Sequence, residues 1–173
     1  KKNSFQSILA ESPEDAARKA VEVVRKGDAD IIMKGFLNTD VLLRAILDKE
    51  VGILPKDTVL THITVAKLPE YPKLLFFTDA AVIPAPNDKQ RRAQVQYIVD
   101  FCHAFEIECP KIALIHCSEK VDERHFPYTA SYRALKAESE TGAFGKCTID
   151  GPLDLITSCS VEAMKVKQIN SPI

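Results

Sequence analysis

Three short stretches of this chain hold side chains able to meet an anion or to move a proton. The first is Met33-Lys34-Gly35-Phe36-Leu37-Asn38-Thr39, with Arg44 on the turns that follow. A glycine lets backbone approach a ligand, a helix start favours negative charge, and Lys34 with Arg44 could neutralise a phosphate. The same stretch also reads as a surface loop with two solvated cations. The second is Ile149-Asp150-Gly151-Pro152-Leu153-Asp154, followed by Thr157 and Ser158. Its two carboxylates flank a glycine and can face a cleft, yet Asp-Gly-Pro is ordinary turn vocabulary too. The third is Thr78-Asp79-Ala80-Ala81, where an acid among small residues follows the apolar run at 74–77. Such an acid either lines a pocket or ends a strand.

Other charged and nucleophilic residues read as structural. The chain has no Walker phosphate loop, no Gly-x-Gly-x-x-Gly, no Gly-x-Ser-x-Gly and no His-Glu-x-x-His. His62, His103, His116 and His125 lack a Ser or Cys and an acid in triad-like order. Arg91-Arg92 and Lys165-x-Lys167 are expected to be solvated charges on helix faces. The five cysteines, at 102, 109, 117, 147 and 159, form no Cys-x-x-Cys pair and are expected to be reduced thiols. His103, Cys109, His116 and Cys117 straddle a helix end and a strand rather than a compact knuckle, so no metal is expected.

The elements that would position these residues alternate between helix and strand. Ser12-Pro13-Glu14-Asp15 combines a capping hydroxyl, a proline at the first helical position and first-turn acids, and the apolar stripe that follows stops at Gly27. Residues 29–33 read as a strand buried on both faces, and Asn38 or Thr39 caps a helix running through Arg44 to Lys49. Beyond Pro55 the pattern changes: residues 61–68 and 73–82 suggest a hairpin around Pro69-Glu70-Tyr71-Pro72. A long amphipathic helix is predicted over 88–105, a buried strand over 111–116, and a helix over 129–140. A strand at 146–149 then leads into an Asp150-Gly151-Pro152 turn, with a last helix near 161–168.

Composition narrows the function classes. The 173 residues carry 23 Lys plus Arg against 24 Asp plus Glu, which lacks the positive excess that drives contact with phosphate backbones or anionic membranes. No window approaches the ~18 consecutive apolar residues of a spanning helix, and the start has too short an apolar segment for a secretory signal. With 46% hydrophobic and 27% charged residues the chain is expected to be globular. It lacks an initiator Met and ends at Asn170-Ser171-Pro172-Ile173 without the strand that would complete another step, so it reads as a partial chain.

Taken in order and at their spacing, Ala29-Asp30-Ile31-Ile32-Met33-Lys34-Gly35, Leu75-Phe76-Phe77-Thr78-Asp79-Ala80-Ala81 and Asp150-Gly151-Pro152-Leu153 resemble the phosphate acyltransferases. The phosphate butyryltransferase branch is nearest, with phosphate acetyltransferases more distant. The resemblance implies reversible acyl transfer: acyl-CoA plus phosphate gives acyl phosphate plus coenzyme A, with CoA a substrate and no cofactor or metal. It implies an α/β, two-lobed layered sheet like that of isocitrate and isopropylmalate dehydrogenases, with reaction in the cleft. Residues 1–56 would be part of the first lobe and 57–173 most of the second, in a cytoplasmic homodimer.

On that template Arg44 takes the phosphate or acyl phosphate, Lys34, Gly35 and Thr39 form the floor of its pocket, and Asp79, Asp150 and Gly151 border the cleft on the CoA side. The catalytic Ser-Arg pair and later Asp of the family are expected beyond Ile173, and Ile83 stands where relatives commonly carry Asn. A noncatalytic acyl-CoA-sensing module, as in the phosphotransacetylase-like tails of some malic enzymes, is the alternative. A dehydrogenase of the same fold would need a nicotinamide site and metal-binding carboxylates that the sequence does not present.

Overall fold

A computed structural model describes residues 5–173; Lys1 to Ser4, the start of the stretch read as too short for a secretory signal, lie outside them. The chain is α/β and forms two compact units, one ending at Val59 and one from Leu60 to Ile173.

The first unit is built on α1 (Pro13–Arg25) and α2 (Thr39–Ile46). Ser12 caps α1 by accepting from the Asp15 amide at 3.1 Å, Pro13 occupies the first helical position, and Gly27 continues past the end at φ 79°. Ala17 and Val21 of α1 and Leu42 of α2 are buried between them. The strand expected at 29–33 does not form: this stretch is irregular, with Ile31 and Met33 almost wholly exposed. A strand buried on both faces needs a neighbour on at least one edge, and the described residues of this unit form no other strand to pair with. Helix α2 is also shorter than predicted, ending at Ile46 rather than Lys49.

The second unit holds two sheets of two strands. In the first, β1 (Thr64–Lys67) and β2 (Leu74–Phe77) pair antiparallel with Thr64 opposite Phe77, the expected hairpin. Next comes α3 (Asp88–Ala104), opened by a full capping box in which Asn87 and Gln90 bond each other's backbone amides. The second sheet is parallel: β3 (Lys111–Ile115), the crossover helix α4 (Thr129–Glu140) and β4 (Thr148–Leu153) make one βαβ step. Val95 and Val99 of α3, Leu114 of β3, Tyr132 and Leu135 of α4, Phe144 and Ile149 form its core, with Ile112 and Cys147 packed against it. Two short helices follow, α5 (Leu155–Cys159), which the sequence did not suggest, and α6 (Val161–Lys167).

β4 corrects a second expectation, because the strand runs through Asp150-Gly151-Pro152 instead of stopping before it. The register shifts between Ala113 and Ile115, and this irregularity admits a proline that cannot donate to the ladder. Gly151 sits at φ 147°, and a Cβ there would lie 2.6 Å from the Leu114 carbonyl oxygen and 2.7 Å from the Leu114 Cβ. Only glycine fits that approach. Among the described residues no helix is long and apolar enough to cross a membrane.

Two substitutions test this core. Phe144→Ala, at a side chain 1% exposed, is expected to cost the second unit about 3–5 kcal/mol in urea unfolding. Gly151→Ala adds a clash with Leu114 to backbone strain that alone costs ~1–3 kcal/mol, so its unfolding midpoint should also fall steeply.

Candidate functional site

In the first unit, an open pocket of about 430 Å³ lies between the start of α1 and the loop at 32–37. Lys34 and Gly35 line it together with Ser12, Ala16, Met33 and Leu42. The loop turns tightly, the Leu37 amide donating to the Gly35 carbonyl at 2.9 Å and Lys34 Nζ donating to the Leu37 carbonyl at 3.0 Å. A Cβ on Gly35 would meet nothing within 4 Å, so the loop is open on that side. Thr39 and Arg44 are not among the pocket's lining residues. Thr39 is the exposed first residue of α2, whose cap residue Asn38 makes no side-chain capping bond. Arg44 lies exposed on the last turn, 3.4 Å from Asp40. The structure thus brings Lys34 and Gly35 to one pocket and leaves Arg44 and Thr39 on the adjacent helix.

In the second unit, a cavity of about 210 Å³ is walled by Thr78, Asp79, Arg91, Gln94 and Tyr132, with β3 residues 112–115 behind them. Asp79 is held from four directions. Thr61 Oγ1 donates to it at 2.7 Å and the His62 amide at 3.1 Å, while the Ala81 and Val82 amides donate at 2.8 Å each. Burial alone would raise its pKa, but these four donors outweigh that and bring the carboxyl down to about 2.

Arg91 was expected to be a solvated charge and is instead 8% exposed. It donates to Asp88 at 2.8 Å, Ser131 at 3.0 Å and the Pro86 carbonyl at 2.8 Å, and lies 5.5 Å and 5.7 Å from the Tyr128 and Tyr132 ring centroids. The signal for this was present in the sequence: residue 91 shares a helical face with Gln94, Val95 and Ile98, all buried. Its neighbour Arg92 is half exposed and pairs with Glu138 at 2.8 Å. Lys167, also read as solvated, binds both Glu119 and Asp154. A charge at the end of a helix cannot be told from a paired one without the fold that brings residues 119 and 154 to it.

Asp150 is not part of the Asp79 cavity. It is 8% exposed, accepting from Lys136 Nζ and from Ser171 Oγ, each at 2.6 Å. Burial works against its charge, yet those two donors, the Gly151 amide and the Lys136 charge more than offset it and hold the carboxyl below the ordinary range. Asp154 caps α5 by accepting from the Thr157 amide at 2.6 Å. None of the three acids is an unengaged carboxylate. The five cysteines are unpaired, and among the described residues no group of three His, Cys, Asp or Glu side chains could hold a metal.

The profile of the phosphate acetyl/butaryl transferase family matches residues 1–173. The chain belongs to that family. It is 36% identical to the phosphate butyryltransferase of Clostridium acetobutylicum over 171 residues, covering 99% of this chain and 56% of the relative. It is 32% identical to the phosphate acetyltransferase of Thermotoga maritima over 161 residues, covering 93% of this chain and 54% of the relative. A crystal structure of a branched-chain phosphotransacylase from Enterococcus faecalis V583 superposes with a TM-score of 0.84 at 26% identity, covering all of this chain and 61% of that one. The chain therefore spans about half the length of the curated relatives it matches.

The depressed Asp79 pKa fixes a sign for stability. A carboxyl at about 2 when folded and 3.8 when free contributes stability that is complete above pH 4 and vanishes as pH falls toward 2. The stability gap between the unaltered chain and Asp79→Asn should be largest near neutrality and shrink by pH 2.5. A gap independent of pH would contradict the four-donor cradle.

Proposed function

We propose that this chain is part of an enzyme that transfers a short acyl group reversibly between coenzyme A and inorganic phosphate. The observation that carries this reading is the family match along all 173 residues, supported by relatives named phosphate butyryltransferase and phosphate acetyltransferase. Coenzyme A is then a substrate and the reaction requires no cofactor. The finer architecture we infer is the two-lobed isocitrate and isopropylmalate dehydrogenase type, in a cytoplasmic homodimer. Leu74, Phe77 and Phe105, each between 39% and 49% exposed in the second unit, are apolar surface that such a dimer would cover.

The anion-facing part of the chemistry is assigned to the first unit. Lys34 at the open loop, the backbone at Gly35, Thr39 at the start of α2 and the Arg44 fork would grip phosphate or acyl phosphate. Asp79, Asp150 and Gly151 are assigned to the CoA side, where their role is to shape the wall rather than to move protons. A CoA thiol has a pKa of about 8.5 by analogy with cysteine, and a base with a pKa of about 2 is mismatched to it by six or more orders of magnitude. Asp150 is held down in the same direction by Lys136. As the family resemblance implies, the thiol's base and the oxyanion contact are assigned to residues that follow 173 in the longer protein.

Release of CoA thiol from butyryl-CoA, with and without phosphate, tests the reading on the longer protein and on residues 1–173. Phosphate-dependent release by the longer protein alone is expected. Comparable release by the short chain would place the base within these residues, and silence from both across short acyl chains would favour the sensing module. In the longer protein, Arg44→Ala should raise the KM for phosphate or acyl phosphate by about tenfold, the value of one charge-assisted contact, with little change for CoA. Unchanged constants for both would make Arg44 a surface charge paired with Asp40.

A further inference from the structure

Asp150 lies within β4, and both of its carboxylate oxygens are engaged from outside that strand. Oδ1 accepts from Lys136 Nζ and Oδ2 from Ser171 Oγ, each at 2.6 Å, and the residue is 8% exposed. Lys136 belongs to α4, the helix that packs on β4. Ser171 belongs to the chain that leaves α6. One carboxylate thus ties that outgoing segment to a strand and a helix of the core.

The segment is extended. Gln168 at φ 56° turns the chain out of α6, and the Ile169 amide donates to the Met164 carbonyl at 2.9 Å. From there burial alternates: Ile169, Ser171 and Ile173 are half-buried, while Asn170 and Pro172 are exposed. The inward side chains of such a segment set its position along its own axis. Isoleucine contacts are non-directional and tolerate sliding. Pro172 has no amide hydrogen to offer a neighbour. Ser171 instead makes a directional, charge-assisted bond, and a slide would leave a buried carboxylate oxygen short of a donor. The Ile173 amide donates in turn to Ser171 Oγ at 3.3 Å, so the same hydroxyl orients the backbone that follows.

We propose that Asp150 is a positioning residue for acyl transfer, holding Ser171 so that the chain continuing past residue 173 starts from a fixed place and direction on the second unit. This rests on the reading above, in which the thiol's base and the oxyanion contact follow residue 173. Asp150 touches no reacting atom and moves no proton. Its contribution is geometric, since a displacement of about 1 Å in a catalytic group can cost ~10²-fold in rate. The residues that grip phosphate are assigned to the first unit, so a displaced base lowers kcat with substrate binding intact.

The test follows initial rates of phosphate-dependent CoA release from butyryl-CoA in the longer protein, with each substrate varied in turn. Ser171→Ala is expected to lower kcat about tenfold, part of that ~10²-fold range, with both KM values within about twofold of the unaltered protein. Asp150→Asn should also lower kcat, and adding Ser171→Ala to it should cost about twofold or less, because the serine acts through the carboxylate. If Asp150→Asn does not fold, the split between kcat and KM in Ser171→Ala decides alone. An unchanged kcat in Ser171→Ala overturns the proposal, as does a loss carried by KM or full additivity in the double variant. A Ser171→Ala protein that circular dichroism shows to be unfolded overturns it too, since the link would then serve the fold. Absence of phosphate-dependent release from the unaltered longer protein removes the underlying reading and the proposal together, whereas an active protein indifferent to Ser171→Ala removes the proposal alone.

Discussion

In the second unit β4 passes β3 at very close range. At Gly151 the chain runs so near Leu114 that no side chain could intervene. Because the two strands are parallel, a crossover must join them, and α4 with its buried Tyr132 and Leu135 supplies both that connection and a cover for the pair. Much of the unit depends on this contact. It sets Ile149 and Leu153 into the interior, presents Asp150 to Lys136 across from α4, and lets the Leu153 carbonyl hold the His116 amide beyond the end of β3.

Around that pair the interior is more polar than an apolar core would require. Arg91, Gln94, His116, Thr129, Asp150 and Thr157 are all buried, and among the described residues no buried side-chain nitrogen or oxygen lacks a partner. Burying such groups is costly unless each is bonded, and many of the bonds here come from segments distant in sequence. Arg91 joins the loop before α3 to α4, and Asp79 joins the start of the hairpin to its end. These links fix the cavity wall, and the donors that fix Asp79 also make it a weak base.

This division bears on how a family of acyltransferases would use this region. A carboxylate saturated with donors is suited to holding a loop, whereas a proton acceptor needs a free lone pair and a pKa nearer the working pH. In the first unit the opposite condition holds, since the loop at Lys34 and Gly35 is open and its cations are exposed or weakly paired. Such groups keep their capacity to meet an incoming anion.

The sequence by itself determined the hairpin and the helices other than α5, because their signals are local. A capping serine before a proline marks α1, an amphipathic stripe marks α3, and two β-branched or aromatic runs around Pro69 and Pro72 mark the hairpin. Its three motifs also carried the family resemblance. The 29–33 run could not be settled locally, since a strand exists only with a partner to receive its hydrogen bonds. Nor could Asp150-Gly151-Pro152, which is turn vocabulary until the register against Leu114 makes it strand. The states of Arg91, Asp79 and Asp150 depended on the tertiary structure. A charge takes its chemistry from burial and from partners 14 to 40 residues away, as Arg91 with Ser131, Lys136 with Asp150 and Thr61 with Asp79 show, and no local pattern encodes those distances.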